Sequence, residues 1–163
     1  MRKGVYMKPK KDGDQDEDAS EPEASDGVTT LTFPSNAVVS GCPPLMITKD
    51  MHTALMTHAK TATRRNNKMP WTNAHTNAFK SGHIVRVWSR PDAGSLYGRL
   101  AGHCKYTKVY QQMLSDMTRA DVRAEGFADW TVARFIENKF LGLHINTKVW
   151  VFEFDFFPLC AQN

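Results

Sequence analysis

The sequence predicts an α+β domain, a small, partly closed β-barrel with helices against it. Three observations lead there. Strand and helix signals follow one another in the order strand, helix, strand, strand, two helices, strand between 45 and 154. A glycine-interrupted run from Leu96 to Tyr106 reads as one long strand, with Gly98 and Gly102 marking bulges or sharp bends. The segment Lys148 to Phe154 is β-branched and aromatic, with Val149, Val151 and Glu153 on one face and Trp150, Phe152 and Phe154 on the other.

Each element has a local reason. Leu45-Met46-Ile47 is a short apolar strand entering the domain. A helix over Thr48 to Thr57 follows, with Met51, Ala54 and Leu55 at helical spacing, Thr48 as its N-cap and Asp50 in its first turn. Residues 66–79 are polar around Pro70-Trp71 and read as a long loop, in which Trp71 serves either loop packing or base stacking. Lys80-Ser81-Gly82-His83 is a turn into the strand Ile84 to Trp88, and Pro91-Asp92-Ala93-Gly94 is a second turn. Asp116 or Thr118 opens a helix running to Glu125, with Thr118-Arg119-Ala120-Asp121 resembling a capping box, and Gly126 ends it. Asp129 is the expected cap of a second helix, Trp130 to Phe140, with a stripe of Trp130, Ala133, Ile136 and Phe140.

With 163 residues, 41% of them apolar, the chain has room for one ordinary domain, expected over 45–157. Residues 1–27 form a charged tail expected to be disordered, and 28–44 a linker in which Val28 to Phe33 forms a short strand. No apolar run approaches the roughly 20 residues that span a bilayer. Without a secretory stretch at the N-terminus, an intracellular protein is expected, cytoplasmic or nuclear, with no membrane partner. Lys8-Pro9-Lys10-Lys11 is either a nuclear-import cluster or part of a flexible tail.

Charge is distributed unevenly. Residues 12–26 carry eight acids and no base, an acidic run that could engage a protein partner or fold back on the domain. Between 45 and 110 there are 11 bases against Asp50 and Asp92. Such a surplus either recognises a polyanion such as RNA or is a solvated face.

Three widely spaced cysteines (Cys42, Cys104, Cys160) make neither a disulfide framework nor a metal knuckle. Six histidines are scattered, and Gly98 and Gly102 are isolated, so neither a metal site nor a cofactor is expected. The chemistry concentrates instead in Lys60-Thr61-Ala62-Thr63-Arg64-Arg65, read as a helix end on which Lys60 and Thr63 lie three apart, one turn.

That run resembles the Lys-Thr-x-Thr-Arg-Arg signature of ASCH domains, members of the PUA-like superfamily. Lys80 to Val87 resembles the family's turn and strand. Thr118 to Phe127 resembles its Asp-Ala-x-x-Glu-Gly-Phe helix end, and Val149 to Phe154 its closing strand. The resemblance covers about residues 45–155. His58 stands where the family often has Gly, and His83 replaces a turn Asp.

The resemblance implies a PUA-like β-barrel with flanking helices, and a cleft lined by the Lys-Thr motif and Glu125 that binds RNA or a modified nucleotide. In the small bacterial members that hydrolyse N4-acetylcytidine, the matching positions make Thr63 the nucleophile, Lys60 its base and Glu125 the acid/base. In the binding alternative, Arg64 and Arg65 clamp phosphates and Thr61 and Thr63 bond their oxygens. Trp71, Trp88 or Tyr97 would then stack a base beside the basic strand residue Arg86. A ligand-free Lys60–Glu125 ion pair is the third alternative.

Overall fold

The computed structural model describes residues 36–89 and 98–159. The charged tail at 1–27, the strand at 28–33, the turn at 91–94, Tyr97 and Cys160 lie outside the described residues.

Five strands form a curled sheet: β1 (Leu45–Ile47), β2 (Ala62–Asn66), β3 (Ile84–Ser89), β4 (Arg99–Met113) and β5 (Lys148–Pro158). Their spatial order is β1-β3-β4-β5-β2. β1 runs parallel to β3 and every other pair is antiparallel. Ahead of β1, the Ser40 N–H donates to the Ile84 carbonyl and the Ile84 N–H to the Val38 carbonyl, so the chain joins the sheet before its first strand.

Curling is built into β4. Two register shifts interrupt its ladders, one against β3 where Ala101 is passed over, the other against β5 where Thr107 is passed over. Bulges of this kind bend a strand and increase its twist. Gly102 sits at the first bend, where a Cβ would lie 2.2 Å from the Phe157 carbonyl oxygen and 2.9 Å from the Phe156 ring. The strand runs to Met113, seven residues past its expected end, because Lys108 to Met113 pair with Lys148 to Glu153.

Four α-helices pack around the sheet: α1 (Lys49–Met56), α2 (Thr72–Lys80), α3 (Arg119–Ala124) and α4 (Val132–Lys139). Helix α1 buries Met51 and Leu55. The capping box of α3 is complete: the Asp121 N–H donates to the Thr118 hydroxyl, and the Thr118 N–H to the Asp121 carboxylate. No helix among the described residues is long and apolar enough to cross a membrane.

Three expectations need correction. Residues 72–80 are a helix, not loop, and bury Thr72, His75 and Ala78 at a spacing of three. Polar and small residues hold that face, so no apolar stripe announces it. Helix α4 is capped by Thr131, whose hydroxyl accepts from the Arg134 N–H, rather than by Asp129. Its buried residue is Phe135, while Ala133 is exposed. The basic run is no helix end: α1 stops at Met56, His58 turns the chain at φ 57°, and β2 begins at Ala62.

Gly102→Ala should lower stability by about 1–3 kcal/mol, because the backbone oxygen it meets cannot swing away. Urea denaturation monitored by tryptophan fluorescence measures the difference.

Candidate functional site

Beyond His58, the chain enters β2 through Lys60, which is 4% exposed. Its Nζ donates to the Ala62 carbonyl (2.8 Å), the Glu125 carbonyl (3.0 Å) and Glu125 Oε2 (2.9 Å). Three acceptors match the three protons of an ammonium. Glu125 is the C-cap of α3, so Lys60 also places positive charge at the end of that helix where its last carbonyls collect.

The two-residue period of β2 sorts the motif. Thr63 and Arg65 face one side, Ala62 and Arg64 the other. Arg64, 4% exposed, turns towards α3. Its Nε donates to Gln112 Oε1 (3.1 Å), Nη1 to Glu125 Oε1 and to the Asp121 carbonyl (both 3.3 Å), and Nη2 to Asp121 Oδ1. Buried Lys60, Arg64 and Glu125 thus form, with half-buried Asp121, a quartet of two cations and two anions. Each oxygen of Glu125 meets one cation.

Burial pulls Lys60 below the ordinary lysine range; Glu125 opposes that shift, and Arg65 and Arg64 add to it. For Asp121, burial pushes upward. Hydrogen bonds from the Thr118 N–H and hydroxyl, with the Arg64 charge and Gln112, outweigh it and hold the carboxyl below its ordinary value.

Above the quartet opens a cleft of about 420 Å³. Lys60, Thr63, Arg65, Asn66 and Glu125, with Thr48, Arg64 and Lys139, supply its polar lining, and residues such as Met46, Met51, Phe127 and Phe135 much of its apolar wall. The Thr63 hydroxyl is buried there without a hydrogen-bond partner. Arg65 is half-buried; its Nη1 donates to the Arg64 carbonyl (2.8 Å) and Nη2 to the Met46 carbonyl (3.4 Å), across the gap between β2 and β1.

The remaining expected site residues lie elsewhere. Thr61 is exposed and lines a second hollow between α3 and β5. Trp71 is not in the cleft wall; it stands under the Arg65 guanidinium at 5.6 Å and meets His75 edge-on. Arg86 is exposed on β3 opposite His103. Trp88 is half-buried on β3, its indole N–H without a partner. Neither Arg86 nor Trp88 lines the cleft. Arg64 touches the cleft, but its guanidinium is engaged by α3 and Gln112, so it cannot clamp a phosphate as expected without giving up those bonds. The Lys60–Thr63 spacing is not a helical turn, because Thr63 is on a strand.

No family profile and no curated relative matches the sequence. Among solved structures, protein EF3133 from Enterococcus faecalis V583 shares 12% identity at a TM-score of 0.48, over 71% of this chain and 77% of that one. An ASCH domain from Lactobacillus crispatus JV V101 shares 13% at 0.46, over 64% and 69%. A variant of ZmASCH from Zymomonas mobilis shares 12% at 0.41, over 68% and 65%. The fold is similar to that of solved ASCH domains. At these identities the likeness concerns the fold alone.

Residues that sequence reasoning missed are the apolar walls, above all Phe127, Phe135 and Met46. A cleft wall and a core contact carry the same residue types, so no local signal separates them. Asp121 was legible as a capping residue; its bond to Arg64 depends on tertiary placement.

Two predictions follow from the buried charges. Glu125→Ala should cost about 3–5 kcal/mol in urea unfolding, since it leaves Lys60 and Arg64 facing each other without their acid, and Lys60→Met with Glu125→Leu should recover part of it. His75, bonded through Nδ1 to the Tyr106 hydroxyl, is pushed down from 6.5 to about 4, by burial first and then by Arg65. The unfolded chain therefore takes up this proton before the folded one does. Stability should fall by about 3 kcal/mol as pH drops from 6.5 to 4, and His75→Gln should remove that slope. Unfolding midpoints at several pH values between those limits decide it.

Proposed function

We propose that the chain binds a nucleobase, in RNA or in a modified nucleoside, within the cleft between β2, α3 and α4. The observation that carries this reading is the Thr63 hydroxyl: buried, unpartnered and in the cleft wall. A buried hydroxyl without a partner costs roughly 1–3 kcal/mol, which a ligand polar group relieves. The cavity, about 420 Å³, falls in the range of small-molecule sites, and its apolar walls beside a few convergent polar groups suit a planar ring with polar edges.

The basic surplus between 45 and 110 favours a polyanion as the physiological partner. Exposed Arg86, Lys105 and Lys108 on β3 and β4 lie outside the cleft and would add contacts only to a longer strand.

A second reading rests on the same hydroxyl. Thr63 Oγ would attack the acetyl carbonyl of an N4-acetylcytidine-type amide. The C–N bond would break with a proton delivered to the leaving nitrogen, and water would release acetate from the threonine ester. Lys60 would take the hydroxyl proton and Glu125 relay it. Burial of Lys60 supports this, by favouring its neutral form. Against it stand the three bonds from Nζ, one of which must break before a lone pair can face Thr63. Binding without chemistry requires no such rearrangement and is the principal reading.

The experiment is to titrate the full chain with the four nucleosides, N4-acetylcytidine and a short single-stranded RNA, and to follow acetate release in parallel. We expect binding of at least one base, weakened about tenfold by Thr63→Val, with no acetate formed. Acetate release that disappears in Thr63→Val establishes the hydrolase. If no base binds and no acetate appears, both readings fail.

A further inference from the structure

The adjacent arginines of the motif have different environments, and the difference specifies the ligand further. The quartet of Lys60, Arg64, Glu125 and Asp121 balances its own charge. Lys139, at the far rim of the cleft, faces Asp50 at 3.6 Å and lies over Phe127 at 4.6 Å. Arg65 is left as a cleft cation with no carboxylate within ion-pair distance among the described residues. Its guanidinium hydrogen bonds go to neutral backbone carbonyls, the weaker at 3.4 Å, and it lies over Trp71. The guanidinium is thereby fixed in place within the field of Glu125 but bonded to no carboxylate, which leaves it able to receive an oxyanion.

Strand geometry sets the distance from this cation to the rest of the site. Thr63 and Arg65 are two residues apart on one face of β2, about 7 Å along the backbone. Thr63 is 1% exposed and deep, Arg65 half-buried and at the β1–β2 gap. A ligand satisfying both places a neutral polar group at the floor and a negative group at the mouth.

We propose that the cleft selects phosphorylated nucleotides over free nucleosides, with Arg65 receiving the phosphate and Thr63 the base or sugar. This rests on the nucleobase reading above. Arg65 is the specificity residue, and Arg64 is a positioning residue that acts through Glu125 and Asp121. The phosphate bears on the β1–β2 gap, beside the Met46 carbonyl that Arg65 now contacts, and takes over the weaker of its two bonds.

Isothermal titration of the full chain with each nucleoside and its 5′-monophosphate tests this. For the base that binds, the monophosphate should bind about tenfold or more tightly than the nucleoside, and the ratio should shrink as salt is raised. Arg65→Gln should collapse the ratio to near one and Arg65→Lys should restore part of it, with thermal melts confirming that both variants fold. Equal affinities for nucleoside and monophosphate in the unaltered chain overturn the inference and leave the nucleobase reading standing. A ratio unchanged in folded Arg65→Gln also overturns it. If neither nucleosides nor monophosphates bind, the nucleobase reading falls and takes the inference with it.

Discussion

The Glu125 carboxylate, shared between Lys60 and Arg64, is the interaction on which the rest of the site depends. Removing such a group from water costs several kcal/mol unless opposite charges and hydrogen bonds replace the solvent. Here both oxygens have a cation, and each cation reaches further acceptors: Ala62 and the Glu125 backbone for Lys60, Asp121 and Gln112 for Arg64. The outcome is mechanical as well as electrostatic. A two-turn helix, α3, is fixed against the edge strand β2, and the Thr61 N–H completes the junction by donating to the Ala124 carbonyl at 2.8 Å. Gly126 makes the close approach feasible: it turns at φ 93°, and a Cβ there would meet Ala54 at 3.0 Å and Met51 at 3.1 Å.

The same interaction divides labour within one short motif. Lys60 and Arg64 have their donors committed inward. Thr63, between them in sequence, points to the other side of the strand and finds no partner. Lys60, Thr63 and Glu125, singled out by composition, all line one cleft. What composition could not reveal was its conformation. Ala62 to Asn66 lacks apolar alternation, so nothing local marks it as a strand; it becomes one because Val149 to Glu153 offers an open partner edge. Treating the run as a helix end put Arg64 and Arg65 in the same environment. A strand puts them on opposite faces.

Elsewhere, legibility followed the strength of the local signal. The capping box of α3 and the β-branched strand β3 stand close to where their residues place them, because each rests on near-neighbour chemistry. Helix α2 was hidden because it docks through Thr72, His75 and Ala78 rather than an apolar stripe, its histidine bonded to Tyr106 on β4. In α4 the expected stripe holds at Trp130, Ile136 and Phe140, which are buried or pack on the core, but Ala133 is exposed and Phe135 is buried instead, held by Phe127 and Phe140 around it. Those ring contacts join residues on either side of two turns, and a window of sequence does not contain them in three dimensions.

The barrel's incompleteness is what leaves the cleft open. Were β1 and β2 hydrogen-bonded to each other, the ladder would close and the space beside Thr63 would be sealed. Instead β1 has three residues, pairs only with β3, and meets β2 through a side chain: Arg65 reaching the Met46 carbonyl. Unpaired edges invite association with other chains, and proteins restrict that by shortness, charge or cover. Here a short strand and a positive charge, with Trp71 beneath it, serve that purpose together. The Arg65–Met46 contact, the longest of the hydrogen bonds around the cleft, spans the one place where backbone pairing is missing among these strands. Edge protection and the mouth of the cleft therefore meet at a single residue, because the group that blocks a sheet edge with charge is also the one at which an anion is proposed to bind.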